Sequence, residues 1–212
     1  FGGEPTYGRI LNSVAAFVKS LNSTDVPFDN YLKGDKDALS EAAIRGLELF
    51  KGKAGCIQCH NGPMLSDGKF YSLGLEANPA IFRKPERHIT FRRFYRTLGV
   101  PDYEHLRQDL GVCCVTKADQ DREKFRTPTL REVSNTAPYM HDGQLAALED
   151  VVAFYNAGGG TRDTKNALLK PLELGDKEQA DLVEFLKSLS GKPADATKPE
   201  LPKYELRTLG EN

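Results

Sequence analysis

Cys56, Cys59 and His60 form a C-x-x-C-H sequence, and this motif constrains the chain more than any other feature does. C-x-x-C-H is the attachment signature of c-type haem. Two thiols separated by two residues can reach both vinyl groups of one porphyrin, and the adjacent imidazole then lies beneath the iron. The motif therefore predicts one covalently bound haem c, with His60 as its proximal ligand.

Two other uses of a C-x-x-C sequence fit this chain poorly. A thioredoxin-like redox pair belongs in a strand–helix–strand context, and the residues around Cys56 show no such pattern. A zinc site needs a second pair of ligands, and the adjacent Cys113 and Cys114 have the wrong spacing for that role. We expect Cys113 and Cys114 to be buried free thiols, because a disulfide between neighbours is strained.

Four segments have the apolar spacing of helices. The first spans 9–21, the second begins at Ser40, the third spans 146–156 and the fourth spans 177–190. Residues 61–125 show little periodicity, and no segment alternates convincingly as a strand does. The sequence therefore predicts an all-α, cytochrome c-like haem domain with long irregular loops.

The bulk properties exclude several classes of partner. The formal net charge of the 212 residues is -1, which argues against nucleic acid, because phosphate binding needs a concentrated basic face. No apolar run approaches the ~20 residues of a membrane span. Haem attachment to cysteines requires export, so we expect a periplasmic protein. A start at FGGEPTYGRI, without a signal peptide, predicts a mature or trimmed form.

Two longer segments resemble the bacterial di-haem cytochrome c peroxidase and MauG family. They are RGLELFKGKAGCIQCHNGPMLSDGKFYSLG and DREKFRTPTLREVSNTAPYMHDGQLAALEDVVAFYNAGGG. The resemblance covers residues 36–191 and implies the C-terminal haem domain of that family. It also implies that residues 1–35 are the last helix and linker of a preceding domain. Residues 192–212 are polar and proline-bearing, which predicts an extended tail.

The resemblance implies part of an enzyme that acts on hydrogen peroxide. This chain is expected to be its electron-relay half, which carries a low-spin haem. Members of the family have another C-x-x-C-H in an N-terminal domain, so we expect a second haem domain or chain and a redox partner protein. This chain has one such motif, which leaves open a stand-alone mono-haem cytochrome that only transfers electrons.

The haem face opposite His60 needs a sixth ligand, and two residues compete for that role. Met140 is attractive because a thioether commonly partners histidine in electron-transfer haems. The resemblance points to Tyr155 instead, since the MauG branch has a tyrosine in the helix that follows the TAPY-x-H sequence. A tyrosinate should stabilise ferric and higher oxidation states. We expect Tyr155 to be the ligand, with Met140 as the alternative.

Four further residues belong to the predicted site. Arg126 and Arg131 flank the TPTL sequence and are candidates to pair with haem propionates, because guanidinium groups match carboxylates well. Exposed arginines without that role are the alternative. The resemblance implies that the carbonyl groups of Thr136 and Pro138 help to bind a calcium ion between two haem domains. Carbonyl groups suit this hard cation but cannot build a site alone.

Overall fold

The computed structural model describes residues 5–194, which form eight α-helices and two short strands. The helices are α1 (Tyr7–Ser20), α2 (Pro27–Leu32), α3 (Glu41–Lys51), α4 (Pro79–Arg83), α5 (Pro85–Thr97), α6 (Cys113–Thr116), α7 (Leu148–Asn156) and α8 (Asp176–Lys187). Single 3-10 turns lie at Lys36–Ala38, Cys56–Gln58, Asp119–Asp121 and Val133–Asn135. The strands β1 (Phe70–Tyr71) and β2 (Phe125–Arg126) pair antiparallel.

The four predicted helices are present, with shifted ends. Ser40 caps α3, because its side chain accepts a hydrogen bond from the backbone N–H of Ala43 at 3.1 Å. The helix α7 begins at Leu148 rather than at 146, and α8 ends at Lys187 rather than at 190. None of the helices within residues 5–194 is long and apolar enough to cross a membrane.

The structure differs from the predicted all-α fold with long irregular loops in two places. Residues 61–125, predicted to be irregular, contain α4, α5 and α6, and α5 alone has 13 residues. Two apolar residues of α5, Ile89 and Phe94, are exposed among its arginines, so the helix has no clean apolar stripe in sequence. The strands β1 and β2 have two residues each, which is too short for an alternating pattern to be visible.

One compact unit spans Asp25–Gly191, and its main core lies among α2, α3, α7 and α8. Phe185 of α8 is fully buried, and its ring centroid lies 5.3 Å from that of Phe28 and 5.1 Å from that of Phe50. These edge-on and tilted contacts are the preferred geometries of aromatic pairs. Phe28 and α2 therefore pack into this core, although the sequence assigned them to the linker of a preceding domain.

The helices α3 and α8 approach each other closely at Gly46. A Cβ atom at this position would lie 2.0 Å from the carbonyl oxygen of Asp181, so no larger residue fits. Beside it, the guanidinium group of Arg45 donates two hydrogen bonds of 2.8 Å to the Asp181 carboxylate. These contacts fix α3, the helix that leads directly into the C-x-x-C-H sequence.

A second, smaller apolar cluster surrounds Tyr95 of α5, which is 1% exposed. The Tyr95 hydroxyl donates to Oδ1 of Asp109 at 2.7 Å and accepts from the backbone N–H of Leu110 at 2.9 Å. Cys113 packs in the same cluster. The cluster anchors α5 to the segment that leads into α6.

The other compact unit contains residues 1–24 and 192–212, of which 5–24 and 192–194 are described. Within it, Thr24 and Lys192 form an isolated antiparallel bridge. The predicted apolar stripe of α1 is present, and its residues Ile10, Val14 and Phe17 are between 53% and 55% exposed. The predicted extended tail lies outside the described residues from position 195 onwards.

Candidate haem-binding site

The C-x-x-C-H sequence follows α3 in a tight 3-10 turn. Gly55 adopts a φ of +63°, a conformation that suits glycine, and directs the chain from α3 into the turn. The backbone N–H of His60 donates to the carbonyl oxygen of Cys56 at 2.9 Å. Both thiols are free, and burial raises the pKa of Cys56 to about 11 and also raises the pKa of Cys59. Both groups are therefore protonated thiols at neutral pH.

A backbone carbonyl orients the imidazole ring of His60. The Nδ1 atom lies 3.0 Å from the carbonyl oxygen of Leu65. Because a carbonyl oxygen only accepts hydrogen bonds, Nδ1 carries the proton and Nε2 keeps its lone pair for a metal. Burial lowers the pKa of His60, and it outweighs the opposing effects of the Leu65 carbonyl group and the Asp67 carboxylate. The ring is therefore held in the neutral, metal-ligating form.

Residues 125–131 clamp the loop that follows His60. The Thr129 hydroxyl donates to the carbonyl oxygen of Met64 at 2.6 Å, and the Ser66 hydroxyl donates to that of Thr127 at 2.7 Å. Between these two bonds, Leu65 is buried and has a φ of +50°, which is costly for a residue other than glycine. The clamp holds the Leu65 carbonyl group towards His60. This supporting role of the FRTPTLR sequence was not predicted.

Tyr155 projects from α7 close to the two thiols of the motif. Burial raises the pKa of its phenol above the ordinary value, and at alkaline pH, where the two thiols ionise, Cys56 and Cys59 raise it further. No residue within the described part of the chain shares a hydrogen bond with the Tyr155 hydroxyl. Buried tyrosine hydroxyls usually find a partner, and the Tyr155 side chain is half-buried. This phenol is therefore available to a group that binds beside the motif.

Met140 lies in a turn, whereas Tyr155 lies in a helix. Tyr139 and Leu145 pair across this turn, and Met140 has a φ of +70° inside it. The Tyr139 hydroxyl also donates to the carbonyl oxygen of Val133 at 2.9 Å. Sites built on helices hold a metal ligand more firmly than sites on loops, which favours Tyr155 over Met140.

The two predicted propionate-binding arginines have different surroundings. Arg131 binds the carboxylate of Asp29, with distances of 2.6 and 2.7 Å from Nη1, and its Nε donates to the carbonyl oxygen of Pro63 at 3.0 Å. Its guanidinium group therefore ties α2 to the loop after His60. Arg126 is exposed and has no carboxylate partner within residues 5–194. Propionate binding stays a prediction, and Arg126 alone has a free guanidinium group for it.

The predicted calcium ligands are exposed at the protein surface. Thr136 and Pro138 are both exposed, and their carbonyl oxygens accept no backbone hydrogen bond from described residues. Within the same residues, no group of three or more histidine, cysteine, aspartate or glutamate side chains is placed to hold a metal ion. Calcium binding therefore stays a prediction that needs ligands from elsewhere.

Cys113 and Cys114 are free thiols, as predicted. Cys113 is buried, whereas Cys114 is only half-buried. Burial raises the pKa of the Cys114 thiol, and a hydrogen bond with Tyr95 partly offsets this effect. The pair belongs to the second apolar cluster, apart from the C-x-x-C-H sequence.

A small cavity of about 50 Å³ lies beside His141 and Asp142. Two atoms of residues that line it, Oδ1 of Asp142 and Oε1 of Gln108, are buried without a hydrogen-bond partner. The Asp142 side chain also shapes its own turn, because its Oδ2 accepts from the Gln144 amide at 2.7 Å. The volume suits one or two water molecules and is far below the several hundred Å³ of a cofactor site.

The chain is similar in sequence to two kinds of bacterial protein. It is 45% identical over 204 residues to cytochrome-c peroxidase IdrP2 of Denitromonas iodatirespirans, a match that covers 96% of this chain and 54% of that protein. It is 34% identical over 204 residues to the methylamine utilization protein MauG of Methylorubrum extorquens, with coverage of 95% and 50%. No protein-family model matches the chain.

The fold is also found among solved structures. The crystal structure of a MauG-like protein associated with microbial copper homeostasis matches with a TM-score of 0.68 and 29% identity, over 89% of this chain and 58% of that chain. The chain spans about half the length of the curated relatives it matches. The relatives imply haem c as the cofactor and redox chemistry as the role. The chain belongs to the di-haem cytochrome c peroxidase and MauG family.

Proposed function

We propose that this chain is the electron-relay half of a di-haem cytochrome c peroxidase or MauG-like enzyme. In this proposal Cys56 and Cys59 would attach one haem c, and His60 and Tyr155 would ligate its iron. With both ligands supplied by the protein, the haem would be low-spin and closed to other ligands. Such a site suits electron transfer rather than peroxide binding.

One observation carries the proposal. The imidazole of His60 is fixed through Nδ1, while the unpartnered hydroxyl of Tyr155 lies near the thiols of the same motif. Two thiols, one neutral imidazole and one phenol are a fitting donor set for a covalently attached haem. When bound, haem supplies reversible one-electron chemistry.

In the proposed site, His60 and Tyr155 would both lower the reduction potential of the haem. Donation from His60 Nδ1 to the Leu65 carbonyl increases the electron density on Nε2, which makes the imidazole a stronger ligand. Tyr155 would bind as the anionic phenolate, which favours the ferric state. Together they predict a low reduction potential, which suits a relay that stabilises oxidised iron rather than one that accepts electrons easily.

The cellular setting is part of the same proposal. Covalent attachment of haem to cysteines takes place outside the cytoplasm, so we place the mature protein in the periplasm. The matched relatives are about twice as long as this chain, which supports a second haem domain or chain as the partner that reacts with peroxide. A separate redox protein would supply the electrons.

Haem content and spin state test the proposal together. The full-length protein should contain two haems per polypeptide or assembly, and the haem at Cys56 and Cys59 should survive denaturation in the intact mass. Its ferric electron paramagnetic resonance spectrum should contain a low-spin signal that His60→Ala abolishes. Haem that extracts into acidified organic solvent would contradict the attachment.

The alternative is a mono-haem cytochrome that only transfers electrons. The observation in its favour is that 212 residues contain a single C-x-x-C-H sequence. One haem per folded full-length assembly, with no reaction with hydrogen peroxide, would support this alternative and overturn the first proposal.

A further inference from the structure

The segment from Arg83 to Thr97 carries a dense positive charge. It contains six arginine or lysine residues and one acidic residue, whereas the whole chain has a net charge of -1. Five of the six cationic side chains are exposed, and they are Arg83, Lys84, Arg87, Arg93 and Arg96. None of these five lies within ion-pair distance of a carboxylate among residues 5–194. We call this set the basic patch.

Exposed apolar side chains lie within the basic patch. On α5, Ile89 is 57% exposed and Phe94 is 54% exposed. Ile89, Arg93 and Arg96 follow one another at helical spacing, so they share one side of the helix. Arg87 and Phe94 are seven residues apart and share a second side. The outer surface of α5 therefore combines apolar side chains with surrounding positive charge.

The inner surface of α5 is packed against the rest of the protein, so the basic patch lies on a rigid helix. The ring of Phe91 lies 5.6 Å from that of Phe82 and 4.7 Å from that of Tyr95. Tyr95 is in turn held by its hydrogen bonds to Asp109 and Leu110. The helix that carries Arg87, Arg93 and Arg96 is therefore held in place against the rest of the protein.

Unpaired charges at a protein surface have a consequence for association. Most cationic side chains elsewhere in a stable protein lie near acidic ones, which cancels the field at a distance. Five cations on one short segment, none with a carboxylate partner among residues 5–194, produce a positive potential that attracts a negatively charged surface and speeds its encounter. Apolar residues surrounded by charge are also typical of the small interfaces of transient electron-transfer complexes.

We propose that the outer surface of α5 is a docking site for an acidic redox protein. This inference rests on the proposed function, because a haem relay needs a partner that delivers or accepts electrons. The positive side chains would set the encounter rate and its dependence on salt. Ile89 and Phe94, which lie on two different sides of the helix, would each add apolar contact among these charges.

An anionic membrane is the other surface that a basic helix can bind. Helices that lie in a membrane interface need a continuous apolar face to insert between lipids. The apolar face of α5, with Phe91 and Tyr95, is already packed inside the protein. Ile89 and Phe94 alone give little apolar area, so the charge pattern favours a protein partner.

The test uses the haem-loaded full-length protein and flavodoxin, a small acidic redox protein, in its oxidised state as the probe. We expect binding in isothermal titration calorimetry at about 10 mM ionic strength that weakens at about 150 mM, where the Debye length falls from ~30 to ~8 Å. The triple variant Arg87→Glu, Arg93→Glu, Arg96→Glu should weaken binding at least about tenfold and flatten its salt dependence.

Two further variants make the result specific. The matched control Lys33→Glu, Lys170→Glu, Lys177→Glu changes the net charge equally at three exposed lysines elsewhere, and it should keep affinity within about twofold. Ile89→Ser with Phe94→Ser should weaken binding but keep the salt dependence, because no charge is lost.

Several outcomes would overturn the proposal. The first is equal flavodoxin affinity of the native protein and the triple arginine variant. The second is a loss of affinity in the lysine control as large as in the triple variant. The third is no flavodoxin binding at all, together with sedimentation on phosphatidylglycerol vesicles that the triple variant loses. If the reversed charges unfold α5, Arg→Gln changes at the same positions replace them. Oxidised flavodoxin binds without electron transfer, so this test can fail while His60 and Tyr155 still hold the haem.

Discussion

The Nδ1 atom of His60 lies 3.0 Å from the carbonyl oxygen of Leu65, a residue held with a φ of +50°. The carbonyl group points correctly only while that strained conformation persists. Thr129 supports it from 64 residues further along the chain, because its hydroxyl binds the carbonyl oxygen of Met64, the neighbour of Leu65. The orientation of the His60 imidazole therefore depends on a side chain remote in sequence.

Replacing Thr129 by Val should loosen this support. We expect the free energy of unfolding to fall by about 1 kcal/mol, the usual contribution of one hydrogen bond. The reduction potential of the haem should rise, because a weaker bond at Nδ1 makes His60 a weaker donor to ferric iron. Spectroelectrochemical titration measures this change.

The control for Thr129 is Thr90→Val. Thr90 makes the same kind of hydroxyl-to-carbonyl bond, to Glu86 at 2.8 Å, on the exposed surface of α5. The Thr90→Val substitution should leave the reduction potential of the haem at the native value. An unchanged potential in Thr129→Val would show that the clamp does not act through His60.

The ion pair between Arg45 and Asp181 should make stability depend on pH. The hydrogen bonds from Arg45 hold the pKa of Asp181 below its ordinary value, which is about 4 in the unfolded chain. A lowered pKa stabilises the fold above about pH 4, and this contribution is lost as the pH falls through the folded pKa. Asp181→Asn should therefore cost about 1–3 kcal/mol near pH 7 and progressively less below about pH 4.

Urea denaturation at several pH values checks this prediction. Glu41→Gln is the matched control, because Glu41 is 96% exposed and only 4.0 Å from the same arginine. Such exposed pairs contribute about 0–1 kcal/mol. A loss in Asp181→Asn that is independent of pH would mean that packing, not charge, causes it.

The two cysteines of the second cluster should be dispensable for haem chemistry. Cys113 and Cys114 pack with Tyr95 and apart from the C-x-x-C-H sequence. Cys113→Ala with Cys114→Ala should leave the absorption spectrum and the reduction potential unchanged, while stability falls by about 1–2 kcal/mol from the lost packing. An altered haem spectrum in the folded double variant would show that the pair communicates with the haem.

Arg126 and Arg131 should differ in their contribution to stability. Arg131→Gln breaks the contact with Asp29 and should lower the free energy of unfolding by about 1 kcal/mol or more, since both side chains are partly buried. Arg126→Gln should leave stability within about 0.5 kcal/mol, as an exposed substitution does. If Arg126 pairs with a propionate, its loss also lowers the haem potential. A larger loss of unfolding free energy in Arg126→Gln than in Arg131→Gln would contradict the structure.

The sequence predicted those parts of the site that have a local signal. The C-x-x-C-H motif, the Ser40 cap and the apolar spacing of α3 and α8 all depend on residues close together in the chain. The clamp on Leu65 depends on residues about 60 positions apart, and no local pattern reports such a pairing. Thr129 was therefore missed, although the TPTL sequence that contains it was recognised.

Arg131 and α5 show a second limit of sequence reasoning. The resemblance suggested a propionate partner for Arg131, but a guanidinium group binds whichever carboxylate the fold brings near, and here that is Asp29. In α5 the buried side is aromatic and the exposed side is arginine-rich with two apolar residues. That mixture gives no clean apolar stripe, so periodicity alone did not reveal the helix.

The sixth ligand of the haem tests the central claim most directly. The ferric electron paramagnetic resonance and near-infrared spectra should be recorded for the native protein, Tyr155→Phe and Met140→Leu. We predict that Tyr155→Phe opens the sixth position and gives a high-spin haem that binds small ligands, while Met140→Leu keeps the native low-spin spectrum. A methionine-to-iron charge-transfer band in the native protein that disappears in Met140→Leu, with Tyr155→Phe unchanged, would contradict the account.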